Sequence, residues 1–162
     1  MARGYFVKGL SGAQFVRAEQ LTRVTAMLRD PDRDVQVLSA VDPMQAWGNL
    51  LPHEAERAFM CVTGTAVCIK NGRVGLLAER QGESVTWWDE DGAGETAGDA
   101  AGNAASDTPS ECLAALARAF KLGRVFPGLY KLTVKQYPEG GGARLEAAGF
   151  VREMRDYVLM KG

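Results

Sequence analysis

Apolar and polar positions first alternate at residues 3–15, RGYFVKGLSGAQF, where Tyr5, Phe6, Val7, Leu10 and Phe15 are interleaved with cations, glycines and an amide. This pattern predicts a strand, a tight turn and a second strand. Over residues 18–29 the period lengthens, with Leu21, Val24, Thr25 and Leu28 at helical spacing and Asp30-Pro31 as the stop. Residues 35–40 return to a strand, and Asp42-Pro43 opens a loop through Trp47, Gly48 and Pro52.

Residues 59–88 read as three strands joined at Asn71-Gly72 and Gln81-Gly82. Two-residue turns there predict the register: Lys70 faces Arg73, Val67 faces Leu76, Arg80 faces Glu83 and Leu76 faces Trp87. Val67, Leu76 and Trp87 then form one row, joined on that face by Thr65, Ile69, Val74, Ala78 and Val85. Trp88, opposite Gly75, is expected on the other face as the available tryptophan.

Residues 92–107 contain only Gly, Ala, Asp, Asn, Ser, Glu and Thr, nothing that builds a core. Thr108-Pro109-Ser110-Glu111 predicts a helix start with Thr108 as cap, and the helix runs to Leu122-Gly123. Residues 130–137 alternate as a strand with Leu132 and Val134 on one side. Gly140-Gly141-Gly142 breaks it and reads as a linker. A short helix over 143–148 and a closing strand pair at 150–152 and 157–160 complete the chain. The expected fold is α+β, a mostly antiparallel β-sheet or partly closed β-barrel with two or three flanking helices. Residues 1–162 are expected to form one domain, with a flexible acidic Gly/Ala-rich insertion at 89–108.

Composition changes this picture mainly through charge. The net charge of −1 hides seven carboxylates and no Lys or Arg between residues 89 and 111, so 19 basic residues face 13 acidic ones elsewhere, a net +6. That balance suits a polyanionic partner. Three cysteines, Cys61, Cys68 and Cys112, show no paired metal spacing, and His53 is the only histidine, so neither a metal site nor a Ser-His-Asp triad is assigned. The carboxylates Asp42, Glu54, Glu56 and Asp156 are not brought together by spacing, and no catalytic residue is assigned. No P-loop and no dinucleotide fingerprint occurs, and no run of about 18 apolar residues marks a membrane span. A cytoplasmic protein without membrane contact is expected.

RGYFVKGLSGAQF, followed by Val37-Leu38-Ser39-Ala40-Val41-Asp42-Pro43, Trp47-Gly48 and Leu51-Pro52, resembles the C-terminal region of the Lhr-type (large helicase-related) DEAD/DEAH-box DNA helicases. The hairpin at residues 67–82, the Lys131-Leu132-Thr133-Val134 strand and Leu145-Glu146-Ala147-Ala148-Gly149-Phe150 continue the likeness. Met44-Gln45-Ala46-Trp47 replaces the family's Asn-Pro-Tyr step, and His53 stands where a tryptophan is usual. The resemblance implies a piece of a protein several times longer, whose ATP- and Mg2+-dependent motor translocates 3′-to-5′ on single-stranded DNA in DNA repair. It also implies upstream winged-helix and helicase domains, a β-barrel-like module, and kinship to DNA glycosylases. Their Gln-x-Gln or Gln-x-Asp motif is represented here only by its first half, in Gln14-Phe15-Val16. No cofactor is expected in this segment itself.

Three roles follow for the segment. As an accessory nucleic-acid-binding module it would hold single-stranded or duplex DNA through Arg3, Lys8, Arg17, Lys70 and Arg73, with Trp88 stacking on a base. As a scaffold or homo-oligomerisation module it would use Trp47, Leu50, Leu51 and His53 as an interface. As a glycosylase-like domain it would act on damaged or uracil-containing DNA. Core packing is the expectation for Tyr5, Phe6, Phe15 and Trp47.

Overall fold

The computed structural model describes residues 1–6, 11–30, 34–89 and 107–162. Lys8 and nearly all of the acidic insertion lie outside the described residues. Strands β1 (Ala2–Gly4) and β2 (Gln14–Val16) pair antiparallel as an opening ribbon, and a 3-10 turn leads into helix α1 (Leu21–Arg29). Strands β3 (Gln36–Ser39), β4 (Ala66–Lys70), β5 (Arg73–Glu79) and β6 (Ser84–Trp87) form a four-stranded antiparallel sheet in chain order. Helix α2 (Thr108–Lys121) lies across it. Strands β7 (Lys131–Val134), β8 (Val151–Glu153) and β9 (Asp156–Met160) make a third antiparallel sheet in the order β7-β9-β8, with helix α3 (Gly142–Ala147) between β7 and β8 in the chain. The fold is α+β, and among the described residues none of the three sheets closes into a barrel.

The main core lies where α2 covers the four-stranded sheet. Cys112, Leu113, Leu116, Ala117 and Phe120 form a buried stripe at helical spacing, set against Ala66, Cys68, Leu76, Ala78, Val85 and Trp87. Leu132, Val134, Tyr157 and Leu159 extend this core into the third sheet. The two sheets are joined at one corner, where the Glu83 carbonyl accepts the N–H groups of Lys135 and Gln136 at 2.8 and 3.0 Å. The Glu83 carboxylate takes the Lys135 ammonium at 2.7 Å, which holds the pKa of that lysine up. A second core on the reverse face of the sheet contains Ala40, Phe59, Val67, Val74 and Leu77.

The structure corrects several local expectations. The first strand of the meander begins at Ala66 rather than Phe59. Lys70 faces Arg73 and Ile69 faces Val74 as expected, but Cys68 faces Leu76, so Gly75 is an extra residue on β5. This β-bulge shifts the register by one and exchanges faces. The row is therefore Cys68, Leu76 and Trp87, while Val67, Val74 and Ile69 belong to the second core. A side chain at Gly75 would sit 2.9 Å from the Cys112 sulfur, which explains why the bulge falls on a glycine under α2. Beyond it, Leu76 faces Trp87 as expected, although the connection is a longer turn through Arg80 and Gln81, both with positive φ. The partner of Glu83 is consequently Lys135 and not Arg80.

The cap of α2 is Asp107, whose carboxylate accepts the Ser110 N–H at 3.5 Å; the buried Thr108 is the first helical residue. The triple glycine is not a linker. At Gly141 a Cβ would collide with the Trp87 ring, and at Gly142 with the Tyr157 hydroxyl, so these positions admit the close seating of α3. The amphipathic α1 forms as expected, yet none of its residues is buried. No helix among the described residues is long and apolar enough to cross a membrane.

Candidate nucleic-acid interface

Two of the predicted phosphate contacts are paired with carboxylates of the same chain, one of them buried. Lys70 is buried, and its ammonium lies 2.7 Å from the Glu111 carboxylate in the first turn of α2. Arg73 makes a two-pronged contact with Glu54, at 3.2 and 3.1 Å. The like-charged pair at the hairpin tip is thus tolerated because each cation has its own carboxylate. Trp88 is half-buried against the second core, and the Arg57 guanidinium sits 5.4 Å from its ring centroid. Arg57 is itself fixed by the Val74 carbonyl at 2.6 Å and by Glu54 at 3.5 Å. The expected free stacking residue is therefore already stacked.

The Trp47–Leu51 turn packs on itself. Ala46 accepts the N–H groups of Leu50 and Leu51, Gly48 donates to Leu51, and Trp47 packs against the second core. His53 is half-buried and edge-on to Phe59, with 4.5 Å between centroids. Buried Gln45 ties the turn down by donating to the Ala40 carbonyl and the Cys61 sulfur. Of the four interface candidates, Trp47, Leu51 and His53 are half-buried, and Leu50 stands out at 70% exposed.

Arg3 and Arg17 are placed differently. In β1 and β2, Arg3 faces Phe15 directly, and exposure alternates along both strands. Arg3, Tyr5, Phe15 and Arg17 are all exposed, whereas Ala2, Gly4, Phe6, Gln14 and Val16 are half-buried. Tyr5 and Phe15 are thus not core, contrary to expectation, with exposures of 79% and 60%. Gln14 is engaged structurally, its side-chain oxygen accepting the Phe6 N–H at 2.8 Å. Asp42 likewise accepts the Met44 N–H at 2.8 Å within its own turn.

A second basic cluster escaped the sequence reading. Arg118 and Lys121 lie on the exposed side of the last turn of α2, and Arg124 follows just beyond it. Lys161 comes from the end of the chain to donate to the Pro127 carbonyl at 3.2 Å, with its ammonium 5.8 Å from the Phe120 ring centroid. Cations at a helix C-terminus complement its dipole. Arg118 and Arg124 line a groove of about 610 Å³ between α2 and the outer strand β3, which Asp34 and Glu111 also border. Arg124 also lines a hollow of about 370 Å³ with Ser39, Thr63, Thr65, Gln81 and Phe126, where no carboxylate is among the lining residues. The i, i+3 spacing of Arg118 and Lys121 was visible in the sequence, but their convergence with Lys161 depends on the third sheet returning to α2.

No family model matches the chain. It is 34% identical over 95 residues to the Lhr helicase/uracil glycosylase of Escherichia coli (strain K12), covering 54% of this chain and 6% of that protein. It is 36% identical over 104 residues to the Lhr helicase/probable uracil glycosylase of Mycolicibacterium smegmatis (strain ATCC 700084 / mc(2)155), covering 59% of this chain and 7% of that protein. The chain thus spans less than a tenth of the length of these curated relatives. Over rather more than half of its own length it is similar to a small part of Lhr helicases, which bears out the family resemblance read from its motifs and is consistent with their C-terminal region.

Proposed function

We propose that this chain is a nucleic-acid-binding accessory module of an Lhr-type helicase, gripping DNA while an ATP- and Mg2+-dependent motor elsewhere in the longer protein drives 3′-to-5′ movement during DNA repair. The observation that carries this reading is the group Arg118, Lys121, Arg124 and Lys161, which takes no part in the ion pairs found among the described residues. Such a patch suits a run of phosphates, whose binding releases counterions and weakens with salt. The glycosylase reading has support in the relatives' names. Against it, Gln14, the retained half of the glycosylase motif, has its side-chain oxygen taken by the Phe6 N–H.

Titrating the chain with labelled DNA at two or more salt concentrations tests the proposal. Binding is expected to weaken steeply with salt, and Arg118→Ala with Arg124→Ala is expected to lower the salt slope by roughly one per lost phosphate contact. Absence of binding at low salt, or an unchanged slope in the double variant, would overturn it.

A further inference from the structure

We propose that the ribbon face formed by Arg3, Tyr5, Phe15 and Arg17 is a stacking platform for a single strand of nucleic acid, an inference that rests on the nucleic-acid reading above. Arg3 and Phe15 face one another across the ribbon, so their β-carbons stand about 5 Å apart on the same face. Tyr5 and Arg17 each lie one residue beyond the end of their strand, two positions from Arg3 and Phe15, and their exposure continues the alternation. The exposure pattern agrees: both rings are open to solvent, and the Arg17 side chain is 74% exposed. The reverse face is partly covered, because the Phe6 ring folds over Gly4, leaving only 2.8 Å for a Cβ there, and the Phe6 N–H is held by the Gln14 side chain. The ribbon is therefore one-sided.

The chemistry of that side selects the partner. Two guanidiniums call for an anion, and two open aromatic rings call for flat apolar surface, a combination that a single strand offers at every nucleotide. A duplex keeps its base faces stacked inside and would leave both rings without a partner. A second copy of this chain would bring Arg3 and Arg17 against their own like charges. The Arg17–Glu19 contact is 4.0 Å between largely exposed groups and does not withdraw Arg17 from such a role.

The test uses the whole chain and two probes, a labelled single-stranded DNA of about a dozen nucleotides and the duplex of the same sequence. Replacing Tyr5→Ala and Phe15→Ala together is expected to weaken single-strand binding at least roughly tenfold, to leave duplex binding within about twofold, and to leave the salt slope unchanged. Tyr5→Trp should retain single-strand binding. Because both rings are exposed, the thermal melt of the double variant should match that of the parent. Unchanged single-strand affinity, or equal losses on both probes, would overturn the platform while leaving the general reading in place. No binding of either probe at low salt would overturn both. Self-association of the parent that disappears in the double variant would assign the face to a second copy and also overturn the inference.

Discussion

The Lys70 ammonium is buried beneath the start of α2 with the Glu111 carboxylate 2.7 Å away, and this asymmetry decides what a substitution at either end does. Glu111 is about half exposed, so Lys70→Met removes a buried charge and leaves behind a carboxylate that already reaches solvent. Glu111→Gln instead removes the carboxylate that lies 2.7 Å from the buried ammonium. We expect Glu111→Gln to destabilise by about 2–4 kcal/mol and Lys70→Met by less, with the double variant more stable than Glu111→Gln alone. Urea denaturation of the parent and the three variants measures all the terms. The pair was not legible in the sequence, because strand alternation locates Lys70 at a hairpin tip but says nothing of a residue 41 positions later. Cys68 makes a second case. Its neighbour Cys112 holds the thiol proton in place and burial adds to this, so its pKa lies well above the ordinary value. A raised thiol pKa contributes stability that is full below the unfolded pKa, about 8.5, and is lost as pH rises toward the folded value. Denaturant midpoints in the alkaline range should therefore decline less steeply for Cys68→Ala than for the parent.

Among the elements, β5 shows how a correct turn can still yield a wrong face. The Asn71-Gly72 turn dictates the pairs nearest to it, and those pairs are found. One residue further on, the approach of Cys112 requires a position without a side chain, and Gly75 meets that need by bulging. A two-fold pattern cannot register such an insertion, since Val67 and Cys68 are both apolar enough for either core. Gly75→Ala should accordingly destabilise by about 1–3 kcal/mol, because the new methyl meets the sulfur of a packed helix. Melting of Gly75→Ala beside Gly72→Ala separates this crowding from turn strain: the Gly72 site has a φ of +72° and open space around it. Helix α2 was more readable, since its apolar stripe and its proline mark the start to within one residue. Only the identity of the cap moved, from Thr108 to Asp107. Asp107→Ala is expected to remove about 1 kcal/mol, measurable by the same unfolding assay.

At the scale of the whole molecule, the buried residues and the exposed aromatics divide along the chain. Among the described residues 1–6 and 11–30 none is buried, whereas both cores are assembled from residues 40–159. The described part of the opening motif, residues 3–6 and 11–15, thus lies at the surface. Arg3 and Arg17 are exposed, as a contact role requires, while the rings of Tyr5 and Phe15 are not in a core as expected, because composition cannot distinguish an apolar side chain that packs from one that waits for a partner. The basic cluster at the end of α2 was missed for the opposite reason, as Lys161 reaches it only through the pairing of β7 with β9. These two surfaces are separable by deletion. A chain starting at Asp34 keeps every side chain that is buried among the described residues, so its unfolding free energy should fall by less than about 1 kcal/mol. It should still bind duplex DNA with a steep salt dependence through Arg118, Lys121, Arg124 and Lys161, but lose the preference for a single strand. Calorimetry and the two-probe titration on that shorter chain measure the two properties separately. Loss of the cooperative melt would mean that the ribbon and α1 brace the cores, whereas loss of duplex binding with the melt intact would move the phosphate grip from α2 to the opening thirty-three residues.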